Sequence, residues 1–129
     1  ALAGTRFSGN AVCGYGVHYF SSMSYYIYAK AAPVGGCSTV PTRNYQAGID
    51  SVVQTQKLVN QNMEFRSRFS DIFFESPNPK TYINNSASLT LPLPTTTIII
   101  QRTSQVACSI PQTCAQIDVS TSGQLNLTD

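Results

Sequence analysis

Strand-like patterning dominates this chain. Val12 to Phe20 (VCGYGVHYF) is rich in aromatic and β-branched residues, the side chains that suit a pleated surface. Strict alternation puts Val12, Gly14, Gly16, His18 and Phe20 on one face and Cys13, Tyr15, Val17 and Tyr19 on the other. Two glycines on one face predict close approach by another element, such as a helix lying on the sheet. Ser21 to Ser24 makes a turn, and Tyr25 to Lys30 (YYIYAK) returns as a second strand. The breakers Pro33, Gly35, Gly36, Pro41 and Asn44 then make Ala31 to Asn44 a loop, with Cys37 in its middle as a tether.

Two readings compete over Tyr45 to Arg68. An amphipathic helix would gather Ile49, Val52, Val53, Val59 and Met63 on one side. Gln56 interrupts that stripe, Leu58 lies off it, and Asn60 and Asn62 are poor helix formers. The preferred reading is a turn at Gly48–Asp50, a strand over Ser51–Leu58, a turn at Val59–Gln61 and a strand over Met63–Arg68. Further on, Asp71–Glu75 (DIFFE), Thr81–Ile83, Thr95–Thr103 (TTTIIIQRT) and Ala115–Ser120 read as strands. Pro92 and Pro94 leave Asn84 to Pro94 irregular, and Thr121-Ser122-Gly123 closes a C-terminal hairpin with Gln124 to Leu127. Residues 1–7 could be the last turn of a helix closed by Gly4, or a frayed terminus. About eight short strands with little helix predict an all-β or α+β fold in a single domain over residues 1–129.

Composition sharpens this picture. Only 11% of the residues are charged, far below the usual value of about 25%, so Ser, Thr, Asn and Gln must cover the surface. Formal net charge is +2, too small for nucleic-acid binding by bulk electrostatics. The four cysteines lack Cys-x-x-Cys spacing and the chain has one histidine, so no closed zinc site is expected. Two disulfides in an oxidising compartment fit better. Three connectivities are open, and local closure favours Cys13–Cys37 with Cys108–Cys114. On a chain-entropy account these loops contribute about 3–4 and about 2–2.5 kcal/mol. The chain starts at Ala1 without an export signal, which suggests a mature or truncated product, and no apolar run approaches a membrane span.

Candidate chemistry is sparse. Gly14-Tyr15-Gly16 is half of a dinucleotide fingerprint, but Tyr19 occupies the third glycine position and no helix follows, so no cofactor is expected. His18 sits in a strand among tyrosines, without a nucleophile motif, and reads as structural. A secreted hydrolase built around His18 is the one catalytic alternative. Asp71 and Glu75 bracket an apolar strand and read as strand-end charges facing solvent. Arg66, Arg68, Lys80 and Arg102 are the basic grouping that could contact DNA or a surface ligand. Asn84-Asn85-Ser86 and Asn126-Leu127-Thr128 match glycosylation sequons.

Three stretches resemble the soluble head of bacterial prepilin-type proteins of the GspH/FimT group, which includes minor pseudopilins of type II secretion and minor pilins of type IV pili. ALAGTRFSGNAVCGYGVHYF is similar to the end of the long pilin helix running into the first strand. SDIFFESPNPKTYI resembles a mid-domain strand with its Pro-containing loop, and CAQIDVSTSGQLNL a terminal hairpin. The group's hydrophobic N-terminal helix, with Phe and Glu near a leader cleavage point, is not in this sequence, and the disulfide positions are not general to the group. The resemblance implies an α+β head of about eight strands, the end of a helix packed on antiparallel sheets, and no catalytic centre. It implies a precursor anchored in the inner membrane and later a periplasmic or extracellular filament. The implied partners are other pilin or pseudopilin subunits and, for some fimbrial members, DNA.

Overall fold

The computed structural model describes residues 6–7, 10–60, 62–75, 79–104, 107–110 and 113–128. Ten strands follow in order: β1 (Arg6–Phe7), β2 (Asn10–Ser21), β3 (Ser24–Ala31), β4 (Ser51–Lys57), β5 (Met63–Phe65), β6 (Ile72–Glu75), β7 (Lys80–Ile83), β8 (Thr95–Arg102), β9 (Cys114–Ser120) and β10 (Leu125–Thr128). A single 3₁₀ turn at Cys37–Thr39 is the only helical element among the described residues. The chain is therefore mostly β, and the contest over residues 45–68 resolves into β4 and β5. Of the candidate helix end at residues 1–7, residues 1–5 lie outside the described residues, and Arg6–Phe7 pairs with Asn10 and Ala11 as strand.

All strand pairs are antiparallel. One sheet runs β4-β3-β2-β6-β7, with β1 added on β2, and the second runs β10-β9-β8-β5. The sheets pack through Ile72 and Ile83 of the first against Val119, Ile98 and Ile117 of the second. Tyr19 and Tyr25 continue this layer, meeting Phe65 with ring centroids 6.0 and 6.2 Å apart. Backbone bonds lace the layers where the chain crosses between them: Phe65 N–H donates to Ser22 O at 2.6 Å, and Leu58 N–H to Met23 O at 2.9 Å.

The alternation of β2 holds from Gly14 onward but not before it. The pairing with β3 shifts between Val12, which faces Ala31, and Gly14, which faces Lys30. The extra residue is a bulge, and it exchanges the two faces N-terminal to it. Cys13 thus packs with Tyr28, Val40 and Phe73, while Val12 joins Tyr15 and Ala29 on the opposite side. The strict alternation expected for Val12 and Cys13 fails for this reason.

The glycines do mark close approach, but not by a helix. A Cβ at Gly16 would overlap the ring of Tyr28, and one at Gly14 would overlap the Phe74 carbonyl oxygen of β6. Gly16 therefore clears space for the fully buried Tyr28. Its hydroxyl donates to the Arg43 carbonyl at 2.7 Å, and its ring stacks on Phe73 at 6.1 Å.

Residues 32–50, though irregular, are pinned onto this face of the first sheet. The Cys13–Cys37 disulfide ties them to β2, with Cα atoms 5.6 Å apart. Lys30 of β3, 2% exposed, donates to Asp50 Oδ2 at 2.6 Å, and the same oxygen accepts the Gln46 N–H at 2.8 Å. Arg43 adds a third tie, through Glu75 Oε2 at 3.1 Å, the Cys37 carbonyl at 3.0 Å and the Tyr82 ring at 4.8 Å. The second disulfide, Cys108–Cys114, closes a short loop ahead of β9. Both pairings are those that local closure favours.

Two stability predictions follow from these contacts. Gly16→Ala should cost about 1–3 kcal/mol through overpacking against Tyr28, and Gly14→Ala more, because the obstacle there is backbone. Urea unfolding of both variants checks the order. Removing one member of the buried pair, as in Asp50→Ala or Lys30→Met, should cost about 3–5 kcal/mol by stranding the other charge. The double variant Lys30→Met/Asp50→Leu should recover most of that loss, measured as the unfolding midpoint against both single variants.

Candidate functional site

The strongest constellation lies where the pinned segment meets the end of the first sheet. His18 projects from β2 toward Asp71, the residue that precedes β6, with Nδ1 2.7 Å from Oδ1. Both side chains are largely buried, at 17% and 10% exposure. With Asp71 ionised, Nδ1–H is the donor, and Nε2 takes no part in this bond. The other Asp71 oxygen accepts the Tyr45 N–H at 2.6 Å, and the Asp71 carbonyl accepts the Asn84 N–H at 3.0 Å. Tyr45 then lays its ring 4.7 Å from that of His18. The Asp71 carboxylate thus positions a strand histidine and the covering segment, and its backbone carbonyl the turn after β7.

That turn depends on residues 84 and 85. Asn84 and Asn85 have φ of 48° and 67°, left-handed values that asparagine adopts more readily than most side chains. The Asn85 side-chain oxygen accepts the Arg43 N–H at 2.7 Å, and the Asn84 oxygen accepts Asn44 Nδ2–H at 2.9 Å. His18, Asn44, Tyr45, Asp71, Asn84 and Arg68 surround a cleft of about 390 Å³, together with Phe69 and Ser70. Arg68 is exposed, its guanidinium 5.5 Å from the Tyr19 ring centroid.

In chemical terms this is a polar recess with a His–Asp pair. The carboxylate that a hydrolase reading requires is in place, so His18 is not without an acidic partner. A triad also needs a hydroxyl or thiol on Nε2. Among the described residues no hydroxyl or thiol is hydrogen-bonded there. Asp71 and Glu75, expected as solvent-facing strand-end charges, are both paired and partly buried, with His18 and Arg43. The sequence reading missed Arg43, Tyr45 and Asn44. They lie in or beside a stretch of breakers, and nothing local signals that the stretch folds back onto a sheet.

The four basic residues do not form one patch. Arg66 donates to Gln101 Oε1 at 2.7 Å, and Gln101 Nε2 donates to Glu64 at 2.8 Å, a network on β5 and β8. Arg102 closes β8 opposite Met63. Lys80 opens β7 beside Thr121–Gly123, near the turn that leads from Ser120, the partner of Thr95 at the opposite end of β8. The eight residues of β8 span about 24 Å at roughly 3.3 Å per residue, which separates Lys80 from Arg102. Arg68 stands apart again, in the His18 cleft.

Behind the cleft, burial pushes the Tyr28 phenol well above its ordinary range, and the carboxylates of Asp71 and Asp50 add to the shift. Compared with family models, with curated proteins and with solved structures, the chain finds no match.

The Tyr28 shift has a measurable sign. The folded state favours the neutral phenol, whereas an unfolded tyrosine ionises near pH 10. Its contribution to stability should be complete below that pH and should fall as pH rises above it. In an alkaline titration followed by phenolate absorbance, one component should appear only together with unfolding. Tyr28→Phe should remove that component.

Proposed function

We propose that this chain is the exposed head of a prepilin-type filament subunit, resembling the GspH/FimT minor pilins and pseudopilins, and that it works through assembly contacts or at a filament tip rather than by catalysis. One observation carries the reading. The stretches that bear the resemblance fold as strand β2, as the strand–loop–strand unit β6–β7 and as the terminal hairpin β9–β10. Strand β2 and the two later units are of the kind that the resemblance implies at those places, whereas the helix end it implies ahead of β2 falls on residues of which Arg6–Phe7 pair as strand.

Other features support the reading. Disulfides suit a periplasmic or extracellular location. A surface poor in charge and rich in Ser, Thr, Asn and Gln suits contact with other proteins. In this reading a hydrophobic helix precedes Ala1, anchors the precursor in the inner membrane, and packs its end on the sheets to make an α+β head. The partners are neighbouring subunits.

The gene sequence upstream of Ala1 tests the proposal. A leader followed by a Glu-bearing hydrophobic helix is the expected outcome, and an ordinary cleaved signal peptide would sink it. A mobility-shift assay with duplex DNA tests the DNA-capturing variant of the same head. With its cations split over both sheets, the chain should give no retardation at low salt. Retardation that weakens steeply with salt would favour DNA capture instead.

A further inference from the structure

The cleft beside His18 holds groups that filament assembly leaves unused. Its cation, Arg68, has no carboxylate partner among the described residues. Asn44, in its wall, has a buried side-chain oxygen that no donor among the described residues reaches. Asn44 Nδ2 donates to Asn84 Oδ1 at 2.9 Å, which leaves the Asn44 oxygen over. A buried acceptor without a partner is costly, and a ligand donor that reached it would relieve that cost.

An aromatic platform adjoins these polar groups. Phe20 is 54% exposed and stacks on Tyr26 with centroids 4.5 Å apart and planes 21° apart. Tyr26 meets Tyr45, in the cleft wall, at 5.7 Å. An exposed Phe20 stacked on a half-buried Tyr26 beside a polar recess offers a flat apolar surface next to directional hydrogen-bonding groups.

The matching ligand needs an apolar ring face, several hydroxyls and one negative charge. A pyranose ring has C–H groups on its faces and hydroxyls around its edge. A uronic acid adds a carboxylate, for which a guanidinium is the best-matched side chain. A run of phosphates would find only one cation in this recess. We propose that the cleft formed by His18, Asn44, Tyr45, Arg68 and Asn84 binds a carboxylate-bearing saccharide, with Phe20 and Tyr26 as the stacking surface. The ring lies on the aromatic pair, the carboxylate meets Arg68, and the hydroxyls pair with the two asparagines and His18 Nε2. This inference stands on the cleft alone and does not rest on the filament reading.

Nitrogen-15 NMR titration of the whole oxidised chain tests it, with trigalacturonate as the probe. The expected result is a set of shift changes centred on His18, Asn44, Tyr45 and Asn84. Arg68→Gln alters an exposed side chain and should leave the melting temperature unchanged, whereas Phe20→Ala also loses the stack on Tyr26 and is compared only at temperatures where its own spectrum shows it folded. Each should weaken binding about tenfold, equivalent to about 1.4 kcal/mol. A neutral trisaccharide should bind at least about tenfold more weakly than the uronate. The proposal is overturned by unchanged spectra at saturating uronate, by equal affinity for the neutral sugar, or by sodium acetate reproducing the effect. Tighter binding of a short single-stranded DNA at the same residues would also overturn it.

Discussion

The buried ring of Tyr28 is the contact on which the rest of this structure depends. It occupies the space left open at Gly16, stacks on Phe73 and donates a hydrogen bond from its hydroxyl to the Arg43 carbonyl. One side chain of β3 thereby joins β2, β6 and the irregular segment 32–50. That segment has almost no secondary structure of its own, so its position comes from side-chain contacts and a disulfide. Without the glycine beneath it, the ring would have to rise from the sheet and would lift the covering segment with it. The His18 cleft has Asn44 and Tyr45 of that segment as part of its wall, so the cleft's shape is set from the same point.

The ion pairs concentrate on this covered face. Lys30–Asp50, His18–Asp71 and Arg43–Glu75 all lie between the first sheet and the segment above it. A chain with only six acidic residues has thus placed half of them where each fixes an irregular backbone to a strand. Partly buried charges of this kind contribute little net stability, because desolvation offsets much of the attraction. Their geometric effect is larger: a segment rich in proline and glycine could otherwise lie in many ways, and each pair is satisfied in only one of them.

Much of the strand order was legible because β-branched and aromatic residues cluster and breakers separate the clusters. TTTIIIQR and the hairpin after Cys114 follow this rule, and so do both disulfides, which close the shortest available loops. Three things were not legible. The bulge at Cys13 leaves no local trace, since it arises from pairing with β3. The partners of Asp71 and Glu75 come from β2 and the covering segment, far away in the chain, so two charges that looked solvent-facing are engaged. The glycines were correctly read as sites of close approach, but the approaching group is a tyrosine of the neighbouring strand and a backbone carbonyl of β6. The cleft was invisible for the same reason: its members come from four separate parts of the sequence and meet only through the fold.

The order of strands within the sheets also shapes how this chain can fold. The hairpins β2–β3, β6–β7 and β9–β10 can form from neighbouring residues, but neither sheet is complete from its neighbours alone. Gly14 must find Glu75 to place β6 on β2, and Met63 must find Arg102 to place β5 on β8. Strands on one sheet are thus interleaved along the chain with strands on the other. Pairings between distant residues carry the entropy of closing long loops before they are rewarded, which slows folding. During synthesis the first hairpin leaves the ribosome with the β6 edge of β2 still unpaired, and that edge stays open until more than half of the chain has been made.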